Sequence, residues 1–109
     1  MSTAKIQTPH PGFFLKEMLD ELGVSQYRLA IATGLPHSRV SGIINGRQNI
    51  TTATALRLGR YFSQSAEYWL NLQRFHDLSQ ARKKMKAEIE EIVPFDFSAF
   101  EKSGTLVAA

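Results

Sequence analysis

The sequence predicts an all-α fold: a bundle of five helices, the fifth extended beyond the bundle. Three observations predict it. Apolar residues recur every three to four positions in five successive stretches. No stretch shows the strict apolar–polar alternation of a half-buried strand. Glycine, proline, serine or threonine stands at every junction between stretches, where helix caps and stops form.

Residues 1–8 are polar, unpatterned and expected to fray. Pro9-His10-Pro11-Gly12 is a turn signal that leads into the first helix, Pro11 to Leu22. Phe14, Leu15, Met18, Leu19 and Leu22 form its inner face, and Gly23 ends it as the left-handed residue beyond the last turn. Ser25 caps a short second helix, Gln26 to Thr33, with Leu29, Ala30 and Ala32 inward, and Gly34 closes it. Gly34-Leu35-Pro36 is a tight turn. The third helix runs from Pro36, in its first position, to Asn45, with Val40, Ile43 and Ile44 as its stripe and Asn45-Gly46 as its stop. After a polar loop from Arg47 to Ile50, Thr51 or Thr52 caps a fourth helix that reaches Phe62 and turns Ala55, Leu58, Gly59 and Phe62 inward. Ser65 caps the fifth, where Tyr68, Trp69, Leu72, Phe75 and His76 make a heavy apolar face, with Trp69 a core residue. The period continues through Ala81, Met85, Ile89 and Ile92 until Val93-Pro94 breaks it. The charged stretch from Arg82 to Glu91 pairs only partly well at i,i+4. The chain therefore divides into a flexible start (1–8), a helical domain (9–80), a helical extension (81–94) and a tail (95–109) with Phe95, Phe97 and Phe100.

A chain of 109 residues can bury one core without staples. It has no cysteine, which removes disulfides, thiolate catalysis and cysteine zinc sites and fits the cytoplasm. No apolar run approaches the length of a membrane span, and Met1 to Pro11 lacks the pattern of a signal peptide. The net charge is +3, unevenly spread. Residues 1–64 hold seven Lys/Arg and three acids, whereas residues 65–109 hold six Lys/Arg and seven acids. The basic excess of the first part suits a phosphate-bearing partner. His10, His37 and His76 are far apart and lack partners at metal-ligand spacing, so neither a metal nor another cofactor is expected. No strand–turn–helix elbow surrounds a serine, and Glu88, Glu90 and Glu91 read as a solvated face. An enzyme is not expected.

The second and third helices, joined across Gly34, have the form of a helix-turn-helix. Leu29, Ala30, Leu35, Val40 and Ile44 supply its inner faces. The exposed first turn of the second motif helix then points at base edges in a major groove. Here it reads His37-Ser38-Arg39, followed by Ser41 and Gly42. Arg39 has the fork for guanine O6 and N7, and equally for a phosphate. The two serines are short enough for either. Gly42, unfavourable inside a helix, either seats the helix deeper in the groove or allows close packing.

Ser25-Gln26, Leu29-Ala30, Gly34, Val40 and Ile44-Asn45-Gly46 together resemble the Cro/phage-repressor (XRE) helix-turn-helix family. The resemblance implies that Gln26 touches a phosphate and supports the recognition helix. It implies base reading by His37, Ser38, Ser41 and Gly42, with Arg39 between them nearer the backbone, and phosphate contacts at Asn45 and Arg47. His10-Pro11-Gly12, Leu15-Lys16, Met18-Leu19, Ile50-Thr51, Ala55-Leu56-Arg57-Leu58 and Tyr68-Trp69-Leu70-Asn71-Leu72-Gln73 narrow it. Over about residues 9–78 the chain is similar to the HigA-type antitoxins, relatives of virulence-associated protein I. Phe13-Phe14 departs from the pattern, since the family often has an acid there. The resemblance implies a dimer that represses its own operon and neutralises a toxin encoded beside it, typically a messenger RNA endonuclease.

The expected partners are therefore operator DNA, a second copy and a small basic toxin. Phe75, Met85, Ile89 and Ile92 are the expected dimer surface. The toxin is expected on the tail, where Glu88, Glu90, Glu91, Asp96 and Glu101 accompany the three phenylalanines, or on the first helix at Glu17, Asp20 and Glu21. The alternatives are an ordinary XRE-type repressor without a toxin and an adaptor that has lost DNA binding.

Overall fold

The structure is a computed structural model that describes residues 8–98. The described part is helical: α1 (Pro11–Leu22), α2 (Gln26–Thr33), α3 (His37–Ile44), α4 (Thr52–Phe62), α5 (Ala66–Lys84) and α6 (Lys86–Glu90). Residues 1–7 and 99–109, including Phe100 and Glu101 of the expected tail, lie outside the described residues.

Four of the six described helices, α1, α2, α4 and α5, start where a side chain satisfies a first-turn amide. His10 Nδ1 accepts from Gly12 N–H at 2.9 Å, and Ser25 Oγ accepts from Arg28 N–H at 3.1 Å. Thr51, not Thr52, caps α4, its hydroxyl accepting from Thr54 N–H at 3.3 Å. Ser65 caps α5 at 3.2 Å. Gly23 and Gly34 end α1 and α2 in the left-handed conformation.

Ten residues from all of α1–α5 and the loop before α4 make the core: Leu15, Leu19, Leu29, Ala30, Val40, Ile43, Ile50, Ala55, Leu58 and Trp69. Close approach of backbones matters as much as side-chain volume. Gly12 sits inside α1, beyond the turn signal that contains it, and a Cβ there would collide with the carbonyl oxygen of Ile43. The α1–α3 crossing therefore depends on a missing side chain.

Several expectations need correction. Pro36 is the residue before α3, with ψ 144°, so its carbonyl accepts the first helical bonds and Asn45 is the terminating residue. Leu22 and Ala32 face solvent, as do Tyr68 and Phe75 in large part, because the inner stripes are narrower than the apolar pattern. The fifth helix does not run unbroken to Ile92. It ends at Lys84, and α6 follows after Met85. The charge order suits the break only in part, since Lys86 opens α6 where a cation meets the dipole unfavourably. Arg82, Lys83 and Lys84 lie in the last turn of α5, where cations meet the helix dipole favourably, and Glu88 lies in the first turn of α6, where an acid does.

Candidate nucleic-acid interface

The corner between α2 and α3 is built from several directions. Gly34 holds φ 74°. Thr33 Oγ1 donates to Leu29 O at 2.7 Å and accepts from Leu35 N–H at 3.4 Å. From α4, Arg57 Nη1 donates to Thr33 O at 2.7 Å. A Cβ on Gly34 would lie 2.9 Å from that guanidinium nitrogen. The carbonyl at the end of α2 is thereby satisfied by a charge-assisted bond, and the angle between the two motif helices is held by a third element.

Of the eight residues singled out from the sequence, His37, Ser38, Asn45 and Arg47 are exposed, and Gln26, Arg39 and Ser41 are half-buried. His37 and Ser38 occupy the first turn of α3, which has no side-chain cap. Asn45 and Arg47 follow the other end of the same helix. Asn45 Nδ2 reaches Ser41 Oγ at 3.4 Å. Gly42 stands apart from the rest: it is buried, and a Cβ there would lie 2.7 Å from Gln48 Nε2. The space beside Gly42 is filled by the side chain of Gln48, a loop residue of its own chain.

The loop after α3 is held on several sides. Arg47 N–H and Gln48 N–H both donate to Gly42 O, at 2.8 and 3.0 Å. Gly46 takes φ 77°. Ile50 N–H donates to Gln73 Oε1 at 2.7 Å, and Gln73, buried in α5, also donates through Nε2 to Asp77 at 3.0 Å. On the outer side His10 Nε2 meets Asn49 Oδ1 at 3.4 Å. Since His10 Nδ1 accepts from Gly12 N–H, the ring is neutral and Nε2 is the donor. Burial holds His10 below the ordinary histidine value. Nearby His76, its ring 5.2 Å away and edge-on, acts in the same sense, against the Asn49 bond and Asp77.

Gln48, Gln73 and Arg57 are the positioning residues that sequence reasoning did not single out. Gln73 and Arg57 lie within the motifs quoted for the resemblance, but no local pattern shows that either reaches a backbone group more than twenty residues away. Among the described residues no His/Asp/Glu group is arranged to hold a metal, and no helix is long and apolar enough to cross a membrane.

The helix-turn-helix family model matches residues 15–69. Virulence-associated protein I of Dichelobacter nodosus is 41% identical over 91 residues, covering 83% of each chain. The structure of an addiction module antidote protein of the HigA family from Coxiella burnetii superposes with a TM-score of 0.80 at 41% identity, over 83% of this chain and 100% of that one. Antitoxin HigA of Pseudomonas aeruginosa, solved with the higBA promoter, does so with a TM-score of 0.79 at 36% identity, over 83% and 100%. The chain belongs to the XRE-type helix-turn-helix family and, within it, to the HigA-type antitoxins.

Proposed function

We propose that this protein is a DNA-binding antitoxin that represses its own operon and neutralises a toxin encoded beside it. The observation that carries the DNA-binding part is the first turn of α3, exposed at His37 and Ser38 on a corner fixed by Gly34 and Arg57. His37, Ser38 and Ser41 lie in the groove and read bases; Arg39 contributes a base or phosphate contact. Gln26, Asn45 and Arg47 bind phosphates at the two ends of the motif. Gly42 acts indirectly, by admitting Gln48 and so shaping the loop that carries Arg47.

The protein acts as a homodimer. Phe75, Leu78, Met85, Ile89 and Ile92 are all exposed. With Arg82 they follow one another at steps of three, four, three, four and three residues, the spacing of a helix-pairing seam. Backbone bonds from Met85 N–H to Ala81 O and from Ile89 N–H to Met85 O bridge the α5–α6 junction, so the seam continues through the break. The toxin, small and basic, binds away from the DNA-reading face. The support is the exposed pair Phe95 and Phe97, rings 4.6 Å apart, beside exposed Glu88, Glu90, Glu91 and Asp96.

The test is a gel shift on the DNA upstream of the chain's own gene, with and without the neighbouring gene product, joined to co-expression of the two. Specific retardation and loss of the neighbour's toxicity are expected. Retardation with toxicity unrelieved leaves an ordinary repressor; no retardation removes the DNA-binding reading.

A further inference from the structure

Two apolar patches outside the DNA-reading surface carry rims of opposite sign. On α2 and α4, Ile31 and Leu56 are 65% and 60% exposed, beside hollows walled by Arg28, Arg60 and Tyr61. Arg57 lies there too, but its guanidinium already serves Thr33 O. Arg28 and Arg60 are exposed and enter no ion pair among the described residues. On α1 and the start of α5, Phe14, Met18 and Tyr68 line a second hollow, rimmed by Glu17, Asp20 and Glu21. Lys16 pairs with Asp20 at 2.9 Å, so Glu17 and Glu21 set the sign of that rim.

An aromatic row relates the two. Tyr61 meets Phe62 at 4.9 Å between ring centres, Phe62 meets Trp69 at 5.9 Å, and Trp69 meets Tyr68 at 5.2 Å. Trp69 is fully buried, while Tyr61 and Tyr68 emerge at the two ends, one in each patch. Each copy therefore presents a basic apolar face at one end of the row and an acidic apolar hollow at the other.

We propose that the basic face of α2–α4 docks on the acidic α1–α5 hollow of a second copy, head to tail. Each patch offers exposed aliphatic or aromatic surface that water covers poorly and that an apolar partner would cover better. The rims decide which partner fits: Arg28 and Arg60 repel a basic protein and match Glu17 and Glu21. Two different patches in contact make a heterologous interface, which repeats instead of closing. The faces are small, so the contact falls in the weak class, below about 1,200 Å² of buried surface. It strengthens when copies sit side by side on one DNA, where effective concentration reaches the mM range. The contact uses none of the exposed stripe from Phe75 to Ile92, so it stands or falls separately from the proposed dimer.

Sedimentation velocity of the full chain tests it. At about 50 mM salt, species larger than a dimer should appear and grow with concentration; at about 1 M, where screening acts within ~3 Å, they should vanish. Two charge-reversed variants, Arg28→Glu with Arg60→Glu and Glu17→Arg with Glu21→Arg, should each lack the large species alone and regain them when mixed. Ile31→Ser with Leu56→Ser should lose them with every charge in place, which separates docking from bulk attraction between opposite charges. Large species that persist in any one of the three variants alone, or a protein that stays at dimer size across the low-salt series, would overturn the proposal.

Discussion

Residues 11–73 and residues 82–98 use their apolar side chains in opposite ways. The first stretch turns ten of them into a shared core, ending at Trp69, and seals it with the buried Gln73. The second holds Met85, Ile89, Ile92, Val93, Phe95 and Phe97, and no residue in it is buried. Their apolar fractions are similar, but the second stretch is far more charged, with eight Lys, Arg, Asp or Glu among its 17 residues, and its apolar side chains are placed differently. In the first stretch every helix turns at least one apolar residue into the core, although Ile31 and Leu56 stay outside it. In the second, among the described residues, no apolar side chain reaches that core. Exposed apolar residues of this kind are what the proposed dimer and toxin contacts would cover. The difference teaches that the first part of the chain supplies the whole core while the second supplies none of it.

Substitutions should separate the two regions, and the largest effect should come from the smallest change. Gly12→Ala places a methyl on the Ile43 carbonyl and should destabilise by about 3 kcal/mol, at the upper end for overpacking, read in urea unfolding. Next, Gln73→Leu leaves the Ile50 amide buried without its acceptor. A loss of about 2 kcal/mol is expected, with weaker operator binding from a loosened loop. On the other side of the comparison, Phe75→Ser with Ile89→Ser should shift the urea midpoint hardly at all. It should turn a dimer into a monomer by light scattering and reduce operator affinity about tenfold, or 1.4 kcal/mol. A full loss of folding in that variant would erase the contrast. The smallest effect is expected at Arg39→Ala: about 1 kcal/mol in operator binding, with unfolding unchanged. Unchanged affinity would remove Arg39 from the reading surface.

Much of the first region was legible because its information is local. Apolar spacing and a capping residue suffice to find α1, α2 and α4, and Gly34 marks the corner of the motif. The second region was less so. Val93-Pro94 reads as the end of the last helix because proline is the stronger conformational signal, yet the helix yields at Met85, between Lys84 and Lys86, where no local signal marks a stop. At the candidate site, the exposed positions of α3 follow from helical geometry once its start is known. The supports do not. Gln73 and Arg57 each reach a backbone group far along the chain, and the worth of Gly12 depends on Ile43 passing close by. Those facts arise only when the helices are packed.

If the proposed dimer pairs along the stripe on α5 and α6, that stripe also acts as a ruler. In a dimer paired along it, the two reading heads are rigid attachments to the same pair of helices, so their separation is set by where one stripe is laid against the other. Sliding by one heptad displaces a helix by about 10.5 Å, roughly the rise of three base pairs. Arg82, a charge between Leu78 and Met85, is a poor fit in most alignments and tolerable in few, which restricts the sliding. The distance between the half-sites of an operator would then be written in the phase of a helix outside the helix-turn-helix itself.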